Sequence, residues 1–148
     1  MNRVILLFAT GFGLGRSAVM PGTIGCLVGV PLSWGLMQLD HVLLQVMVAI
    51  FFVLVAVPLC GSAESLIGEK DSQMIVADEF LTLPICVIGF SEPLFLLTGF
   101  VFHRIFDITK PPPIRQLQNI GGGVGVVVDD VLAALLALGC NVLLAYWI

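Results

Sequence analysis

Two carboxylate pairs, Asp78-Glu79 and Asp129-Asp130, are the residues whose type and spacing point most directly to chemistry. Each pair abuts an apolar run. Adjacent acids at such a boundary need more than a helix dipole to account for them, and hard carboxylate oxygens suit Mg²⁺, which takes one or two carboxylates plus substrate phosphate. Between the pairs lie Arg104, Asp107, Lys110 and Arg115, in the polar island HRIFDITKPPPIRQLQNIGGGVGVVVDD from His103 to Asp130. Arg104, Asp107 and Lys110 are spaced by three, so they share a face if helical. The structural alternative is a salt-bridge ladder. The triple proline ends that helix and is expected to hold Arg115 on an extended arm. Guanidinium and ammonium groups would hold phosphate oxygens. The residues therefore point to phosphoryl chemistry on an amphiphilic substrate.

Further candidates are weaker. Glu64, Asp71 and Asp78 are seven apart and would share one face of an unbroken helix. Gly68 and Asp71-Ser72 argue against that helix, and Asp71 or Ser72 is a ready cap for the next one. TGFGLG at 10–15 places Gly11 and Gly15 at G-x-x-x-G spacing, which favours close packing over phosphate contact. Pro21-Gly22-Thr23 reads as a helix-opening turn, with Thr23 as a phosphate contact in the sharper reading.

The elements that must position these residues are almost entirely hydrocarbon. Of 148 residues, 59% are hydrophobic and 11% charged, and the mean hydropathy is +1.11, whereas soluble domains carry about 25% charged residues. The chain reads as one membrane-embedded domain over 1–148. Six basic residues are too few and scattered for nucleic acid. Cys26, Cys60, Cys86 and Cys140 stand singly in apolar runs and read as small buried hydrophobes, not as a disulfide or zinc framework. The N-terminal apolar run is short and lacks a cleavage pattern, so it is expected to be retained.

Val42 to Cys60 has no charge over 19 residues, and Val131 to Ile148 none over 18, close to the ~20 needed to span a bilayer. Residues 80–90 and 94–102 are each too short to span ideally. They are expected to extend into their flanks or to form a buried re-entrant hairpin. With 17–39 these make about five apolar helical segments, some short or re-entrant, in an all-α, multihelical integral membrane protein. If the segments alternate in direction, the N-terminus, the 61–79 connection and the island share one side. That side holds every basic residue, which makes it cytoplasmic by the positive-inside rule. It also holds eight of the ten acidic residues.

The same residues resemble the phosphatidylglycerophosphatase A family, in order and over most of the chain. The matching pieces are GFGLG and PGTIG near the N-terminus, DSQMIVADE at 71–79, RIFDITKPPPIR at 104–115 and GGVGVVVDD at 122–130. The resemblance implies a multihelical, Mg²⁺-dependent phosphatase of the bacterial inner membrane, converting phosphatidylglycerophosphate to phosphatidylglycerol. It implies Asp78, Glu79, Asp129 and Asp130 as metal ligands or bases, with Asp107 as a ligand or as the group orienting Arg104. It makes Arg104, Lys110 and Arg115 phosphate binders, with Glu64 as a further metal candidate and Thr23 as a further phosphate contact. The chain departs from the family pattern at Ala18, Thr82, Pro112 and Gln118, where proline, glycine, tryptophan and an acidic residue are usual. Two rivals stand beside this reading. A phospholipid phosphotransferase would carry a longer D-G-x2-A-R…G-x3-D-x3-D signature, absent here. A small transporter would place its acids at mid-span.

Overall fold

The computed structural model describes residues 2–70, 72–112, 114–117 and 122–148. Asp71, Pro113, Gln118 and Gly121, which entered the sequence reading, lie outside them. The described residues form helices joined by turns, with no strand among them. In order these are α1 (Asn2–Ala9), α2 (Pro21–Cys26), α3 (Gly29–Met37), α4 (Val42–Ile67), α5 (Ala77–Thr82), α6 (Pro93–Thr109), α7 (Ile114–Leu117) and α8 (Gly122–Ala145). Short 3-10 turns at Leu14–Arg16 and Leu83–Val87 complete the set.

Among the described residues two helices, α4 and α8, are long and apolar enough to cross a membrane. The segment expected over 17–39 is broken at Leu27-Val28 into α2 and α3. On α4, Leu43, Met47, Ile50, Phe51 and Leu54 form an exposed apolar stripe at helical spacing. Helices α4 and α8 cross where both carry glycine. A Cβ on Gly123 would overlap the Val57 carbonyl and come within 2.9 Å of the Gly61 nitrogen. Small residues thus let the two backbones meet, as close packing between apolar helices requires.

The polar connection expected over 61–79 is shorter than that. Helix α4 continues through Ala63 and Glu64 to Ile67 and stops at Gly68, whose φ of 76° supplies a left-handed C-cap. From Ser72 the chain runs inward to α5. Gly15 and Gly25 make room for this run: a Cβ on Gly15 would strike the Met74 carbonyl, and one on Gly25 the Val76 side chain. The Val76 N–H donates to the Ala9 carbonyl at 2.9 Å. The first glycine cluster therefore packs, as its spacing favoured. Gly11, however, sits in a left-handed turn (φ 55°) and not on a helix face.

The 80–90 stretch is α5 running into the 3-10 turn, with Leu83, Cys86 and Val87 buried. Irregular backbone among apolar helices needs internal partners. Asn141 of α8, fully buried, donates its Nδ2 to the Cys86 and Phe95 carbonyls at 2.9 Å and accepts from Thr98 at 2.7 Å. Gln45 of α4 accepts from the Gly89 N–H at 2.7 Å. These two polar residues in greasy helices hold the turn in place. They also fix the end of the bundle away from the acids.

Candidate functional site: a polar cavity between α2, α5, α6 and α8

The first turn of α5 carries Asp78 and Glu79, the last two turns of α6 carry Arg104 and Asp107, and the first third of α8 carries Asp129 and Asp130. All six line one cavity of about 470 Å³, together with Lys110, Gly22 and Thr23. The two carboxylate pairs, 51 residues apart in sequence, are thus walls of the same space. Helix α8 begins at Gly122, because the glycine-rich 122–128 stretch is helical. Asp129-Asp130 therefore stand two turns inside it and not at its start.

Arg104 is the hub. Its Nη1 donates to Asp107 Oδ2 at 2.7 Å and lies 3.1 Å from Glu79 Oε2, and all three side chains are nearly buried. The shared face read from the spacing of Arg104 and Asp107 is present, as an i,i+3 ion pair. Lys110 does not continue the ladder. It caps α6 in the left-handed region (φ 42°, ψ 60°), a conformation costing a residue with a Cβ roughly 1–2 kcal/mol. From there its Nζ donates to Asp129 Oδ2 at 2.8 Å. The strained cap turns the ammonium from its own helix toward α8. Gly22 brings α2 against this network: a Cβ there would strike Glu79 Oε1 and lie 3.0 Å from Arg104 Nη2.

Charge in the cavity is unbalanced. Five carboxylates, from Asp78, Glu79, Asp107, Asp129 and Asp130, face the cations of Arg104 and Lys110. Oδ1 of Asp78 and of Asp130 are buried with no hydrogen-bond partner among the described residues, and so is the Thr23 hydroxyl. Burial pushes the Asp78 carboxyl well up, and the Glu79 charge beside it adds to the effect. Burial likewise lifts Glu79 to about 7, against the opposing pull of Arg104. For Lys110, burial acts downward, but the hydrogen bond and charge of Asp129 outweigh it and the pKa is raised.

Such a cluster is stable when protons or a cation neutralise it. Among the described residues, no three His, Cys, Asp or Glu side chains are grouped at metal-ligand spacing. The described side chains therefore form no all-protein metal cage, and a hard divalent ion there would need phosphate and water to complete its shell.

Thr82, at one of the family departures, turns its hydroxyl back onto the α5 backbone, donating to the Asp78 carbonyl at 2.7 Å. The helix carrying Asp78-Glu79 keeps its form there. Glu64 is half-buried on α4 and is not among the described residues lining the cavity. Arg115 is exposed on α7, also away from that lining. The chain after Lys110 is not an extended arm: Ile114 donates to the Pro111 carbonyl at 2.9 Å, is fully buried, and starts a short helix.

The sequence reading passed over His103. It is fully buried, with Nδ1 3.9 Å from Cys26 Sγ and Nε2 3.8 Å from Asp130 Oδ1. A histidine inside an apolar run, four residues before Asp107, was the available signal. Gly22 was read there as part of a turn, and its close approach to Glu79 emerges in three dimensions alone.

Residues 7–145 match the family model for phosphatidylglycerophosphatase A. The chain is 35% identical to Phosphatidylglycerophosphatase A of Escherichia coli over 136 residues, covering 90% of this chain and 78% of that protein. It is 34% identical to the Haemophilus influenzae protein of the same name over 146 residues, covering 97% and 90%. A Bacteroides thetaiotaomicron relative, 32% identical over 136 residues and covering 86% and 85%, bears a provisional name as a phosphatidylinositol-3-phosphatase. No solved structure matches the chain significantly. With its acids and cations gathered in one cavity and the family model spanning nearly its whole length, the chain belongs to the phosphatidylglycerophosphatase A family of phosphatase enzymes.

Proposed function

We propose that this protein is a Mg²⁺-dependent phosphatidylglycerophosphatase of the bacterial inner membrane. It releases the terminal phosphate of phosphatidylglycerophosphate to give phosphatidylglycerol. The observation carrying the reading is the convergence of both carboxylate pairs with Arg104 and Lys110 in one cavity. The names of the bacterial relatives supply the substrate. The exposed apolar stripe on α4 and the length of α4 and α8 support a membrane setting. The position of every Lys and Arg in the N-terminal segment, the 61–79 connection or the 103–130 island supports a multi-pass arrangement with the cavity facing the cytoplasm.

One carboxylate from each pair, drawn from Asp78 or Glu79 and from Asp129 or Asp130, is the proposed metal ligand set. Mg²⁺ bound there would supply Lewis-acid polarisation of the phosphate and acidify a coordinated water. In the reaction the water oxygen forms a bond to phosphorus, the bond from phosphorus to the glycerol oxygen breaks, and a proton passes to that oxygen. Arg104, turned from Glu79 but still held by Asp107, and Lys110, turned from Asp129, offset charge developing on the phosphoryl oxygens. Thr23 donates its unpaired hydroxyl to one of them. Glu79, with a pKa near 7, is suited to hold or give up the transferred proton. Asp107 fixes the Arg104 guanidinium.

Purified protein should be assayed with phosphatidylglycerophosphate, phosphatidylinositol 3-phosphate and phosphatidic acid in mixed micelles. Preferred turnover of the first is expected. Preferred turnover of the second would shift the substrate to that of the Bacteroides relative, and release from none would end the phosphatase reading.

A further inference from the structure

Alongside the polar cavity runs an apolar groove of about 340 Å³, walled by Phe100, Val101 and Ile105 of α6. It shares Met20, Thr23, Arg104 and Ile108 with the cavity, so the two are one continuous depression, polar at one end and hydrocarbon at the other. We propose that this groove seats an acyl chain of the phosphate-bearing lipid and is the path by which the lipid reaches the site from the side. The proposal rests on the lipid-phosphatase reading above and adds the location of the tail.

Three observations carry it. First, Val101, Ile105 and Ile108 recur at i, i+4 and i+7, so α6 presents one apolar face there, and all three are exposed. Second, Arg104 lies on the same helix between Val101 and Ile108. A phosphate held by Arg104 would therefore direct the rest of its molecule along this face. Other apolar depressions, around Leu135, Leu136 and Leu143 and around Phe90 and Tyr146, share no residue with the polar cavity. Third, Met20 at the junction is held in the left-handed region (φ 47°, ψ 56°) with its side chain 59% exposed. Backbone strain of this kind in residues with a Cβ concentrates at ligand clamps, and a flexible thioether adapts to an irregular hydrocarbon partner.

Val101 and Ile105 line the groove and not the cavity, so they are the residues to change. Ile105→Trp and Val101→Trp should raise KM for long-chain phosphatidylglycerophosphate about tenfold or more, the scale of lost apolar contacts in a pocket. Turnover of the water-soluble deacylated head group should stay as in the wild type. Equal loss on both substrates, or no change on either, would overturn the groove. A second arm is independent of turnover. Phosphatidic acid and phosphatidylcholine carrying the same acyl-chain diazirine are photolysed with wild-type protein in micelles, and the adducts mapped. Phosphatidic acid is expected to label residues 100–109 several-fold more than phosphatidylcholine. Labelling independent of the head group would mean ordinary bilayer lipid and refute the proposal. Absence of phosphatidylglycerophosphate turnover by the wild type with selective labelling intact would overturn the substrate assignment alone.

Discussion

Replacing Thr23 with valine separates a binding role from a structural one, because the two predict opposite signs of stability. The hydroxyl is buried at the cavity wall with no hydrogen-bond partner among the described residues. A buried polar group left unpaired costs about 1–3 kcal/mol. Valine keeps the shape and removes that cost. In a chain of this size each kcal/mol moves Tm by about 2–4 °C, so Thr23→Val should melt roughly 2–12 °C higher in detergent. In the complex, the hydroxyl donates to a charged phosphate oxygen, a bond worth about 1.5–3 kcal/mol. Its loss should lower kcat/KM by about 10- to 100-fold, while Thr23→Ser stays near wild type. A stabilised and less active enzyme is the expected result. A lower Tm with unchanged kcat/KM would show that the hydroxyl serves the fold, and would refute the reasoning.

Arg104→Lys keeps the charge but can satisfy one of the two carboxylates at 2.7 and 3.1 Å. The loss of one charge-assisted hydrogen bond, about 1.5–3 kcal/mol, should appear in Tm, with activity down at least tenfold in a phosphate-release assay. Gly25→Ala forces a Cβ against the Val76 side chain and should cost about 1–3 kcal/mol of stability by overpacking, measured by thermal melting. Gly22→Ala, aimed at Glu79 Oε1, should instead lower activity more than stability. Glu79 gives a pH signature in metal-free protein. Its folded pKa of about 7 lies above the ordinary 4.5, so its contribution to stability is full below about pH 4.5 and is lost as pH rises through 7. Melting in EDTA should therefore show a Tm that falls across this window, and Glu79→Gln should flatten the slope.

The helical class and the grouping of charges could be read from the chain because both are set locally. Long uncharged runs leave little choice but helix, and acids or cations among them stand out. The boundaries could not. Helix α4 absorbs seven residues of an expected connection because nothing before Gly68 stops it. Helix α8 starts well before its aspartates because the glycine-rich 122–128 stretch packs at the α4 crossing. The pairings were out of reach for a different reason. By spacing Lys110 would share a face of α6 with Asp107, yet its left-handed cap sends it to Asp129. Arg115 was expected on a stiff arm, yet it lies in a short helix that begins at the buried Ile114. His103, Asn141 and Gln45 are isolated polar residues in apolar runs of the sequence. Their partners come from other helices and have no trace in local spacing.

The role assigned to the two carboxylate pairs stands or falls on the Mg²⁺ dependence of turnover. Purified wild-type protein should release inorganic phosphate from phosphatidylglycerophosphate in saturable proportion to Mg²⁺, with none in EDTA. Asp78→Asn and Asp129→Asn, folded by their melting curves, should lose about 100-fold or more. Undiminished turnover in EDTA, or in both folded variants, would contradict the metal site.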